Sequence, residues 1–177
     1  MTNRMLQRFL NKQHLDADEL CRSSDLVDIH WVDDQRAVVR LTCTGLIRTP
    51  DQRLVEHSCF DFGVYFRDDH LRYVDGLRLL SVLAPQSFWH PNAIGPGICI
   101  GKVAPGTGIR EIVFRLFDVV VYNNLTVDER NALNHAACRW ARARMERFPI
   151  DGRPVLWRTG DPVACAPGAP DVGWGLA

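Results

Sequence analysis

Apolar residues recur at helical spacing at the start of the chain. Met5, Leu6, Phe9 and Leu10 form one stripe among Arg4, Arg8, Asn11 and Lys12, which predicts a helix over the first twenty or so residues. Asp16 to Leu20 either extends that helix or breaks from it. The period then falls to two. Val27, Ile29 and Trp31 alternate with Asp28 and His30, and Asp33-Asp34-Gln35 supplies a turn. A second strand is expected over Arg36 to Ile47, where Val39, Leu41 and Cys43 alternate with polar positions. Thr49-Pro50-Asp51-Gln52 breaks the chain. Phe60, Phe62, Val64 and Phe66 mark one face of a third strand, Asp75-Gly76 a turn, and Leu77 to Ala84 a fourth strand. Short connections favour an antiparallel meander.

The period lengthens again in the second half. Ile109, Ile112, Val113, Leu116, Phe117, Val120 and Val121 predict a helix, with Thr107 a candidate cap although Gly108 follows it. Thr126-Val127-Asp128-Glu129 has the capping-box pattern, and the apolar positions from Leu133 to Phe148 predict a second helix ended by Pro149. Prolines and glycines then dominate, so 1–150 is expected to be the folded domain and 151–177 a partly extended tail pinned at Val155, Leu156 and Trp157. Strands followed by helices indicate an α+β fold with the helices on one face of the sheet.

Composition narrows the classes. The 177 residues are 46% hydrophobic, enough for one core, and 21 basic side chains balance 21 acidic ones. No basic footprint for nucleic acid is present, and no run has the length to cross a membrane. Only Lys12 and Lys102 carry lysine charge; genomic base composition accounts for that scarcity. Six cysteines occur without a C-x-x-C pair, so neither a zinc ribbon nor a thioredoxin-like site is expected, and no cofactor. Free thiols fit a reducing cytoplasm. Cys43, Cys59 and Cys138 fall on predicted strands and a helix and read as core filling; Cys21 and Cys165 stay open.

Candidate chemistry concentrates in Phe88-Trp89-His90-Pro91-Asn92-Ala93-Ile94-Gly95-Pro96-Gly97-Ile98-Cys99-Ile100-Gly101. Glycine and proline forbid a long regular element, so Cys99 lies on a loop. A loop thiol near the amide of Asn92 can carry an acyl group and have its oxyanion steadied; Asn92 can also simply cap a turn. His90 reads as structural rather than as a general base.

These residues resemble the ubiquitin-conjugating enzymes. Phe88-Trp89-His90-Pro91-Asn92 is similar to the family's aromatic-x-His-Pro-Asn signature, Ile98-Cys99-Ile100 to its catalytic step, and Ile109–Val121 with Leu125–Phe148 to its two helices after the active site. The resemblance implies a UBC-like fold over roughly 1–150. It implies that Cys99 takes a ubiquitin-like C-terminus from an activating enzyme as a thioester and passes it to an amine of a target protein. Asn92 would hold the loop or stabilise the oxyanion, and His90 would shape the loop. Tyr122, Asn123, Asn124 and Asp128 become candidates for activating the amine, against the plain alternative of a polar turn and a cap. Lys102 is either inert or a site of self-modification. The family's Tyr-Pro and Pro-Pro steps, its tryptophan after the cysteine and its last helix are absent. That divergence resembles bacterial members encoded beside an activating enzyme, a ubiquitin-like protein and a metalloprotease, several acting in phage defence. Two other readings stand beside it: a non-catalytic binding module on the same scaffold, and an unrelated Cys-His hydrolase.

Overall fold

In the computed structural model, which describes residues 4–161 and 173–175, the first amphipathic stripe becomes one unbroken helix. This helix, α1 (Arg4–Ser23), includes Asp16 to Leu20 and buries Leu6, Leu10, Ala17 and Leu20. The strands β1 (Val27–Trp31), β2 (Arg36–Leu41), β5 (Phe60–Tyr65) and β6 (Leu80–Ala84) form one antiparallel sheet in the order β1-β2-β5-β6. Its alternate residues Val39, Leu41, Phe60, Phe62 and Val64 meet α1 and α3 (Ile109–Val120) in the main core. The class is α+β.

The meander is interrupted. Arg36 to Ile47 is not one strand: it splits after Leu41, and β3 (Gly45–Arg48) pairs with β4 (Leu54–His57) in a separate hairpin. The alternation fails where Gly45 and Leu46 are both buried. Gly45 packs so closely that an added Cβ would lie 2.8 Å from Val120 and 2.9 Å from Phe60. The backbone must turn inward there, which takes it off the sheet. Thr49-Pro50-Asp51-Gln52 is the hairpin turn, with Gln52 in the left-handed region at φ 66°.

Two other boundaries move. The expected start of the fourth strand, Leu77, belongs instead to a short turn of helix, α2 (Gly76–Leu79), because the Asp75 side chain accepts from Leu77 N. The helix expected over Leu125–Phe148 is only α4 (His135–Arg142), flanked by 3₁₀ turns at Glu129–Asn131 and Met145–Arg147. Asp128 caps the first of those turns, while Asn134 caps α4 by accepting from Ala137 N at 3.0 Å. Asn134 also donates its own N–H to Pro91 O at 3.0 Å. That long-range bond takes an N–H that a continuous helix would need.

Thr107 does not cap α3. Its hydroxyl donates to Ala104 O, and Gly108 occupies the cap position with no side chain to offer. Gln13, 2% exposed on α1, reaches across instead. Its Oε1 accepts from Ile109 N at 2.8 Å and its Nε2 donates to Phe9 O. A Cβ at position 108 would sit 2.6 Å from that oxygen, so the glycine makes room for the cap.

Residues 151–161 lie against the domain. Asp151 accepts from Thr44 N at 2.8 Å, Trp157 O accepts from Asp25 N at 2.9 Å, and Val155 and Trp157 pack on the main core, whereas Leu156 is exposed. Burial pushes the Asp151 carboxyl up, but the bonds from Arg153 and the two backbone N–H groups outweigh it and hold the pKa below the ordinary value. Residues 162–172, including Cys165, lie outside the described residues. No described helix is long and apolar enough to cross a membrane.

The cap from α1 has a measurable consequence. Gln13→Met fills the same volume but leaves the buried Ile109 N–H without an acceptor. It is expected to lower unfolding free energy by about 1–3 kcal/mol, read as a shift in urea midpoint with an unchanged slope. An unshifted midpoint would show that the cap adds nothing.

Candidate functional site

Cys99 stands exposed between two buried neighbours, Ile98 at 0% and Ile100 at 2%. Alternation along an extended segment therefore turns the thiol outward while two isoleucines anchor the chain. The segment leaves a small hairpin of β7 (Ala93–Ile94) and β8 (Gly97–Ile98). Gly101, at φ 89°, then turns the chain in a conformation that L side chains rarely adopt.

Asn92, only 4% exposed, organises this loop. Its backbone carbonyl accepts from Cys99 N at 2.8 Å, and its Nδ2 donates back to Cys99 O at 3.2 Å. Its Oδ1 accepts from Thr126 N at 2.9 Å, and its own N–H donates to His90 Nδ1 at 2.9 Å. Both ends of the side-chain amide are thus engaged by backbone. Of the two roles expected for Asn92, this geometry performs the first, holding the loop.

His90 is fully buried, stacked on Phe88 and edge-on to Tyr122. Because Nδ1 accepts, the proton of the neutral ring sits on Nε2, which has no hydrogen-bond partner among the described residues. Desolvation lowers its pKa to about 3. A ring sealed from solvent and neutral down to that pH is a poor base for a surface thiol, so a Cys-His hydrolase loses its base. His90 is structural.

The connection between α3 and α4 is brought to the loop through Thr126, but its candidate side chains face elsewhere. Asn123 and Asn124 are exposed, their N–H groups donate to Asp118 O at 2.8 and 2.9 Å, and Asn123 Nδ2 donates to Asp118 Oδ1. They close the end of α3. Asp128 is engaged by Arg130, whose side chain and backbone N–H lower its pKa. Tyr122 is buried, and its hydroxyl donates to Trp89 O. It is a pillar under the loop at φ 64°, so it cannot reach an attacking amine. Lys102 is exposed next to Gly101.

The remaining described cysteines differ from Cys99. Cys43 and Cys138 are buried, and desolvation raises both thiol pKa values; Cys138 Sγ donates to Thr126 O. Cys21 and Cys59 are half-buried, and burial raises Cys21. Among the described residues, no group of three His, Cys, Asp or Glu side chains is placed to hold a metal.

Sequence reasoning missed the bond from Thr126 N to Asn92 and the structural part of Tyr122, whose hydroxyl is held by Trp89 O. Thr126 N is a backbone group and carries no residue signal. Tyr122-Asn123-Asn124 directly after an apolar helical run was a visible helix-end signal. No protein-family model matches the chain, and no curated protein is significantly similar to it.

The buried ring and the amide each yield a test. An ordinary histidine titrates near 6.5. The unfolded chain therefore takes up a proton at His90 that the native state refuses between pH 6.5 and about 3. Stability from this group is complete above 6.5, falls by up to about 1.4 kcal/mol per pH unit through the window, and levels off below it. His70, also lowered by burial, adds in the same direction. Urea titrations across this range are expected to give a shallower slope for His90→Asn; an unchanged slope would mean that His90 titrates normally. Asn92→Ala strands Cys99 O and Thr126 N and is expected to cost about 1–3 kcal/mol, read in the same titrations.

Proposed function

We propose that the chain is a conjugating enzyme for a ubiquitin-like protein, with a UBC-like fold and Cys99 as its nucleophile. The observation that carries this reading is an exposed thiol on a loop clamped by a side-chain amide. Most free cysteines are buried; here two flanking isoleucines are buried and the thiol is not. The order of elements supports it too: an N-terminal helix, four antiparallel strands with the β3–β4 hairpin and α2 set among them, the cysteine loop and further helices.

In this mechanism, Cys99 Sγ attacks the carbonyl carbon of the modifier's C-terminal thioester, and the activating enzyme's thiol leaves with a proton. An amine of the target then attacks the new thioester, forms an amide and releases the Cys99 thiol. A thioester is already activated, so placement contributes more than a strong base. Asn92 acts as a positioning residue, fixing the backbone of Cys99 to the 121–126 connection. The partners are an activating enzyme, the modifier and the target, in the cytoplasm, and the resemblance implies a bacterial defence system.

A non-catalytic binding module is the second reading. It is favoured by the amide of Asn92, which is spent at both ends on backbone, and by the candidate amine activators, which face other partners. Incubation with activating enzyme, ATP and modifier separates the two. The wild type is expected to form a reductant-labile adduct, Cys99→Ser a reductant-resistant ester or none, and Cys99→Ala none. A labile adduct on Cys99→Ala would overturn the assignment. Modifier binding with no adduct under activating conditions would favour the module.

A further inference from the structure

The hairpin β3–β4 and α4 enclose a second, smaller core of Leu46, Leu54, Trp89, Tyr122, Ala137, Trp140 and Ala141. One side of it is closed by a residue from far along the chain, Trp174. Its indole lies parallel to Phe148 at 6.5 Å between centroids and tilted against Trp140 at 5.8 Å. The Arg147 guanidinium covers it at 3.8 Å from the ring centre, a cation–π distance. The indole N–H donates to Glu56 Oε1 at 2.9 Å. Following it, Gly175 O accepts from Trp140 Nε1 at 3.0 Å and from Arg144 Nη2 at 3.1 Å.

The segment itself is small and separable. Gly175 N donates to Gly173 O at 2.9 Å, which sets Trp174 at the tip of a three-residue turn. Both glycines are exposed and Trp174 is half-buried. A Cβ on either glycine would meet nothing within 4 Å. The surface therefore reads an indole and the carbonyl of the residue after it, and is indifferent to the flanking side chains. The indole N–H and the carbonyl after it both have partners, as in an aromatic anchor seated in a protein interface.

We infer that this cradle is a peptide-docking site for a tryptophan-bearing turn, occupied by the chain's own C-terminal segment as an intramolecular ligand. The ligand belongs to the same chain as the cradle, so it competes at a high effective concentration. A peptide of the same chemistry supplied in trans takes the cradle when the tail's own indole is removed. This inference is independent of any chemistry at Cys99.

The test uses the full-length chain with Trp174→Ala and a fluorescein-labelled peptide of residues 171–177, followed by anisotropy. Saturable binding is expected to the variant, and at least about tenfold weaker binding to the wild type, whose tail competes. The same peptide with alanine in place of tryptophan is expected not to bind. Adding Arg147→Gln to the variant is expected to weaken binding several-fold. No saturable binding to a folded Trp174→Ala chain would overturn the inference. Should that variant fail to fold, the wild-type Trp174 indole N–H resonance provides the readout. It is expected to shift as unlabelled peptide displaces the tail, and its failure to move at millimolar peptide would overturn the proposal. Concentration-dependent dimerisation that vanishes with Trp174→Ala would assign the cradle to a second copy's tail and overturn the intramolecular occupancy.

Discussion

One buried residue ties together three segments around the exposed thiol. Asn92 sits where the His90-Pro91 turn, the Cys99 segment and the 121–126 connection converge, and it bonds to all three. Its side chain supplies two of those bonds, to Cys99 O and from Thr126 N, and its own N–H supplies the one to His90. Aspartate would set a charge against Cys99 O, and leucine would leave a carbonyl and an N–H stranded in a buried place. Partial burial gives the clamp its force, since water replaces the lost partners only in part.

The clamp needs a floor, and the second core provides it. Tyr122 is held at positive φ, with its hydroxyl on Trp89 O and its ring beside His90 and Phe148. A tyrosine in that backbone region costs on the order of 1 kcal/mol or more. The hydroxyl bond and the fully buried ring offset that cost. The inserted hairpin supplies Leu46 and Leu54 to the same core. An interruption of the meander thus supports the loop from beneath, and Gly45 is the residue whose lack of a side chain lets it happen.

The parts legible in the sequence were those governed by local period. The α1 stripe, the β1–β2 alternation, the Phe60–Val64 face and α3 all follow from one buried side meeting one core. The sequence placed Cys99 on a loop, and the structure adds that it is exposed between two buried isoleucines. What was hidden depended on partners far along the chain. The split after Leu41 turns on Gly45 meeting Val120, the cap of α3 on Gln13, and the short α4 on the bond from Asn134 to Pro91. Capping-box spacing at Thr126–Glu129 pointed to a helix start, but Thr126 N was already committed to Asn92 and Asp128 capped a single 3₁₀ turn. Local propensity lost there to a long-range backbone bond.

The same contrast bears on how a carrier thiol must be built. Activation by a neighbouring base would require a titratable side chain aimed at the sulfur, and the one histidine in the loop is turned inward and kept neutral by desolvation. On the proposed reading, reactivity rests on access and placement. A rigid backbone under an outward thiol suits a reaction whose acyl donor arrives already activated, because the loop loses little conformational freedom when the donor docks. The ordering contributed by Asn92 is compatible with carrying an acyl group and handing it on.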